Sequence, residues 1–176
     1  MSNVEFWINI TGATGLLVNA DSLTRKSDTL LRSLIGLGFA FWTVNNVLLG
    51  AWTAAALCGV AMTRQIVASW LPYDTSMRLK SMLCIGFLSV ILGLTLWTWN
   101  SWGSVLACIS SFLSTVAMFY FSGARLRATV GFAYLFWCAA TIWYHAEWAF
   151  VSNVLLTLAA FWGYFQLRKV SAIPLA

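Results

Sequence analysis

The chain has 176 residues, 61% of them hydrophobic and only 9% charged, with a formal net charge of +5 and a mean hydropathy of +0.82. A soluble domain carries about a quarter charged residues, so this sequence lacks the means to coat a water-facing surface. Successive long apolar stretches define a polytopic membrane protein with one membrane domain spanning residues 1–176.

The N-terminus has neither a basic n-region nor a small-residue cleavage site, so no cleaved signal peptide is expected. The first helix is expected over about Val4 to Ala20, interrupted by Asn9, Thr11, Gly12, Gly15 and Asn19, and its unbroken apolar content falls short of the ~20 residues of a comfortable span. A loop with Arg25, Lys26 and Asp28 follows. Helix 2 is expected over Leu30–Leu49 and helix 3 over Ala51–Trp70, meeting at Gly50 in a tight, uncharged turn. The connector LPYDTSMRLK begins at Leu71, and its Pro72 ends a helix because it offers no N–H. Helix 4 is placed at Ser81–Trp99, and Asn100, Ser101 and Gly103 turn into helix 5, which ends near Phe121. SGARLR reads as a basic loop. Helix 6 takes Ala128–Tyr144 and helix 7 Trp148–Leu167, with a short tail from residue 170 to 176.

The stretch RSLIGLGFAFW (Arg32–Trp42) has a counterpart in RATVGFAYLFW (Arg127–Trp137). Arg32, Gly36, Phe41 and Trp42 pair with Arg127, Gly131, Phe136 and Trp137 at one offset (127 − 32 = 95). The same offset pairs Trp7 with Trp102 and Ala51 with Ala146. The expected fold is therefore all-α: seven transmembrane helices arranged as two parallel three-helix repeats (residues 4–70 and 101–169) joined by one linker helix within residues 71–100, a 3+1+3 plan.

All ten Lys and Arg lie toward the loops that follow odd-numbered helices, or at the C-terminus, with Arg64 alone set well inside a helix. The positive-inside rule then puts the C-terminus in the cytoplasm and, with seven spans, the N-terminus outside. Basic residues at helix ends are accounted for by lipid headgroups, which removes nucleic acid as a partner. Cys58, Cys84, Cys108 and Cys138 fall inside apolar segments without CxxC spacing and read as small packing residues. One histidine with scattered cysteines makes no metal site, and no cofactor is implied. There is no nucleophile–base–acid set and no Walker or Rossmann fingerprint, so no enzyme is expected and no catalytic residue is assigned.

Polar side chains inside the hydrocarbon layer need a partner or water. Trp42, Asn45 and Asn46 share helix 2; Trp137 and Thr141 line one side of helix 6; Asn153 lies on helix 7. Amides between indole faces suit a small polar solute of the sugar, nucleoside or amine class. The plainer alternative is hydrogen-bonding between helices. Arg64 sits well inside helix 3, where it snorkels to headgroups, binds an anionic group, or pins the bundle. His145 and Glu147, in IWYHAEW, form a candidate proton-coupling pair; the alternative is an interfacial belt with Trp143, Tyr144 and Trp148. Ser104, Ala107, Ser111 and Ser114 give helix 5 a small-residue face, offered either to another helix or to a second protomer.

At LLGAWTAAALCGVAMTR (Leu48–Arg64) the sequence resembles the bacterial inner-membrane YgjV family, in which the same LLG, following aromatic, small residues and terminal arginine occur. STVAMFYFSGARLR (Ser114–Arg127) and FWCAATIW (Phe136–Trp143) resemble that family's fifth helix with its basic loop and its sixth helix. The departure is in the last helix, where Ala160 stands near the place of a family arginine. The resemblance implies residence in a bacterial inner membrane, in contact with the lipid bilayer. It also implies a layout similar to SWEET, PQ-loop and PnuC-type transporters, the last echoed weakly in FWGYFQLRK. The functional expectation is a facilitator or secondary transporter of a small polar solute working by alternating access. Its competitor is a non-transporting scaffold or partner subunit.

Overall fold

A computed structural model describes residues 3–50, 52–72, 74–99, 102–143 and 147–171. Among them the chain forms seven helices: α1 (Asn3–Thr24), α2 (Asp28–Leu48), α3 (Trp52–Trp70), α4 (Met77–Trp97), α5 (Trp102–Tyr120), α6 (Gly123–Trp143) and α7 (Glu147–Ser171). The apolar composition drives this, because a backbone surrounded by lipid must satisfy its hydrogen bonds within its own segment. Four helices, α4 to α7, carry a stretch long and apolar enough to cross a membrane. With 22 residues, α1 extends about 33 Å at the α-helical rise, which matches the hydrocarbon thickness although its composition is more polar.

Local signals set the boundaries. The Ser27 hydroxyl accepts from Leu30 N–H to cap α2, and Ser76 does the same for α4 through Leu79 N–H. Gly50 closes α2 in the left-handed region (φ 71), which glycine enters without steric cost. Three expectations shift. Helix 1 continues past Ala20 to Thr24, because Ser22 and Leu23 are fully buried among neighbouring helices. Helix 4 starts at Met77 rather than Ser81, since Ser76 supplies the cap. The segment SGARLR is not a loop: α6 begins at Gly123, and Arg127 lies inside the protein with 0% exposure instead of among headgroups.

The helices form a ring. The middle helix α2 packs against α1 and α3, and α6 packs against α5 and α7; α1 meets α7, α3 touches α5, and α4 leans on α5 and α3 from outside. Small residues allow the close approaches. A Cβ on Gly36 would lie 3.2 Å from Gln65 Cβ and 3.7 Å from Ile66 on α3, and one on Gly131 would lie 3.3 Å from Ala160 Cβ and 3.2 Å from Phe161 on α7. On the other side of each middle helix, Gly15 faces the Gly38 carbonyl, while Ser110 Oγ donates to the Ala133 carbonyl at 2.6 Å.

The two ends of the ring differ. The basic end carries the α1–α2, α3–α4 and α5–α6 connections; the opposite end, which has no lysine or arginine but includes Glu5 and Glu147, carries the others. The buried apolar cluster, with Leu23, Leu31, Ile35, Met118, Leu126 and Val130, fills the half nearer the basic end. Phe87 of α4 stacks on Phe119 of α5 at 5.9 Å, fastening the outer helix. Trp70, Trp97, Trp102 and Trp143 are exposed at helix ends, the depth at which indoles favour a membrane–water interface.

Candidate functional site

Above the apolar cluster the ring encloses a partly open cavity of about 720 Å³ to which all seven helices contribute. That volume lies within the range of small-molecule sites. Gly50, Trp52, Thr98 and Ala149 line it at the end away from the basic one, and Asn19, Arg64 and Tyr134 line it at depth. Trp42 of α2 and Trp137 of α6 both contribute to its wall.

The residues singled out in the sequence divide as follows. Trp42, Asn46, Arg64, Trp137, Thr141 and Asn153 all line this one cavity. Their hydrogen bonds are mostly local: Asn46 Nδ2 donates to the Trp42 carbonyl at 2.8 Å and approaches Cys58 Sγ at 3.6 Å. Thr141 Oγ1 donates to the Cys138 carbonyl at 2.9 Å and Asn153 Nδ2 to the Ala149 carbonyl at 2.8 Å. Asn45 is different. It is 5% exposed, turned away from the cavity, and its Nδ2 donates to the Ile8 carbonyl at 2.6 Å and to Thr11 Oγ1 at 3.1 Å, so it joins α2 to α1. His145 lies outside the described residues; Glu147 opens α7, and its side chain also lies outside them.

Arg64 does not snorkel. It is 2% exposed, and its Nη1 donates to Thr115 Oγ1 at 2.6 Å and to the Ser111 carbonyl at 3.3 Å on α5. Its Nε is buried without a partner. Directly beneath lies a space of about 20 Å³, lined by Arg64, Gln65, Ser110 and Tyr134 among others, the size of a single water. The small-residue face of α5 also turns inward: Ser104, Ala107, Ser111 and Ser114 all line the cavity.

Beyond the apolar cluster the basic end is closed by a polar clasp that the sequence reading did not foresee. Arg127 Nη1 donates to Asp28 Oδ1 at 2.7 Å and to the Gly123 carbonyl at 2.8 Å. Its Nη2 donates to the carbonyls of Arg25 and Lys26 in the α1–α2 connection. Asp28 accepts a second bond from Gly123 N–H at 2.6 Å, reached because Gly123 is left-handed (φ 57). Arg32 completes the set, with Nη2 donating to the Phe121 carbonyl at 2.9 Å and Nη1 to the Ala68 carbonyl at 3.5 Å. A signal was present in the sequence, since Arg32 and Arg127 pair at the 95-residue offset. Headgroup contact accounted for both without burial, so it went unread.

Six helices in a ring with a seventh packed outside it, four of the seven long and apolar enough to cross a membrane, make this a polytopic α-helical membrane protein. Residues 3–171 match the family Imp-YgjV, described as a bacterial inner membrane protein, and the chain belongs to that family. Compared with curated proteins and with solved structures, the chain has no match.

Proposed function

We propose that this protein is a carrier for a small polar solute, seen with its basic end shut and its cavity accessible from the opposite end. The observation that carries the reading is the 720 Å³ cavity itself, in which indoles, amides and one guanidinium from separate helices converge in a region lipid would otherwise make apolar. The charge distribution puts the basic end in the cytoplasm, so the cavity faces outward. The C-terminus is then cytoplasmic and the N-terminus outside.

The 3+1+3 plan is part of this proposal, and several contacts support it. α2 (Asp28–Leu48) and α6 (Gly123–Trp143) begin and end at the same 95-residue offset. Gly36 with Gln65 and Ile66 corresponds residue for residue to Gly131 with Ala160 and Phe161. Gly15 against Gly38 corresponds to Ser110 against Ala133. Alternating access would rock α1–α3 against α5–α7, opening the clasp of Arg32, Arg127 and Asp28 as the opposite end closes.

Uptake of labelled sugars, nucleosides and organic acids into proteoliposomes tests the reading. Saturable flux that Asn46→Leu abolishes is the expected result. Absence of flux across the panel would hand the function to a non-transporting membrane subunit. Flux unchanged in Asn46→Leu would remove that amide from the solute site.

A further inference from the structure

Among the described residues lining the cavity, Arg64 is the one that carries a fixed charge at neutral pH, and no Asp or Glu stands with it. The two ion pairs found among the described residues, Arg25 with Asp21 and Arg127 with Asp28, belong to the basic end. Thr115 and the Ser111 carbonyl, both uncharged, hold only Nη1, and Nε is buried without an acceptor. A guanidinium so placed has lost its water without gaining a counter-charge, a costly arrangement. Its fork is nevertheless oriented, since α5 fixes one nitrogen while the residue stands in the cavity wall. Planar two-oxygen anions match that fork.

We infer that the transported solute bears a single carboxylate, for which Arg64 is the counter-charge, an assignment that rests on the carrier reading above. The one positive charge balances a monoanion and leaves a dianionic phosphate half-compensated. An amine matches the wall less well for the converse reason, because no carboxylate stands among the described lining residues. Asn46, Thr141 and Asn153 then meet a hydroxylated body, and Trp42 and Trp137 supply flat faces for its C–H surface. The solute class is a small hydroxy acid or sugar acid.

The test titrates the purified full chain by calorimetry with gluconate, lactate, glucose and inorganic phosphate, and measures flux of the same four in proteoliposomes. Gluconate or lactate is expected to bind, with glucose and phosphate at least about tenfold weaker. Arg64→Gln is expected to weaken the carboxylate about 30-fold or more, as truncation of one partner of a buried charge pair does, and Arg64→Lys to restore part of it. Saturable glucose flux with no carboxylate binding would overturn the carboxylate assignment while leaving the carrier standing. Phosphate binding as tightly as the carboxylates would overturn the single-charge argument. Carboxylate binding that depends on Arg64 without flux would uphold the site and reject the carrier, whereas neither binding nor flux would overturn both. Should Arg64→Gln fail to fold, the order of the four compounds on the wild-type chain decides the matter.

Discussion

Arg32 and Arg127 make the same reach in opposite directions. Each stands in the opening turns of a middle helix, and each donates to the main-chain carbonyl just ahead of the other's helix: Arg32 to Phe121, Arg127 to Lys26. The residues alongside match as well. Arg32 also touches the Ala68 carbonyl on α3, while the side chain of Arg127 lies 3.2 Å from where a Cβ on Gly163 of α7 would stand. What breaks the exchange is Asp28, whose counterpart is Gly123, so the clasp contains a single carboxylate, shared between Arg127 and the Gly123 N–H.

Removing one partner of that buried pair is expected to be far costlier than removing an exposed one. Arg127→Ala strands Asp28 and several carbonyls, for a loss of about 3–5 kcal/mol. Arg25→Ala breaks a half-exposed pair with Asp21 in the i,i+4 geometry, worth about 0.3–0.5 kcal/mol. Unfolding midpoints of the two variants in the same detergent check the ranking; equal shifts would mean that the clasp is not structural.

The clasp should also govern access. Cys58 lines the cavity, so in a variant keeping only this cysteine, a membrane-impermeant maleimide should label it from the outer side and leave it untouched from the cytoplasmic side. Arg32→Ala combined with Arg127→Ala is expected to raise labelling from the cytoplasmic side. Sidedness that is reversed in the parent variant would reverse the orientation proposed here.

Helix contact and cavity wall predict opposite outcomes for two adjacent amides. Asn45→Ala removes the bridge to Ile8 and Thr11 and is expected to cost about 0.6–1.7 kcal/mol, the span measured for hydrogen bonds between membrane helices, with solute selectivity unchanged. Asn46→Ala is expected to alter solute affinity with a smaller change in stability. Paired unfolding and uptake measurements separate the two.

Two glycines should respond in opposite senses to an added methyl. A Cβ on Gly163 would fall 2.1 Å from the Leu23 carbonyl oxygen, so Gly163→Ala must push α7 off α1 at a cost of about 1–3 kcal/mol. Gly86 on α4 has open space around it, and Gly86→Ala should be neutral or stabilise by up to about 1 kcal/mol through helix propensity. Thermal midpoints decide; destabilisation by Gly86→Ala would reveal an unrecognised contact on the outer face of α4.

The sequence by itself determined the membrane class, the seven helices, and which end collects the lysines and arginines. All of these follow from composition and from a fixed rise per residue. Only the tertiary structure decided the rotation of each helix. That rotation spent Asn45 on α1 while turning Asn46 to the cavity, faced the serines of α5 inward, and drew Arg127 out of its expected loop into a buried clasp. The physical reason is that lipid and protein interior are almost equally apolar. A soluble helix announces its buried side by a polar opposite face. A membrane helix announces only its depth, and the side it turns inward is fixed by the neighbours it meets.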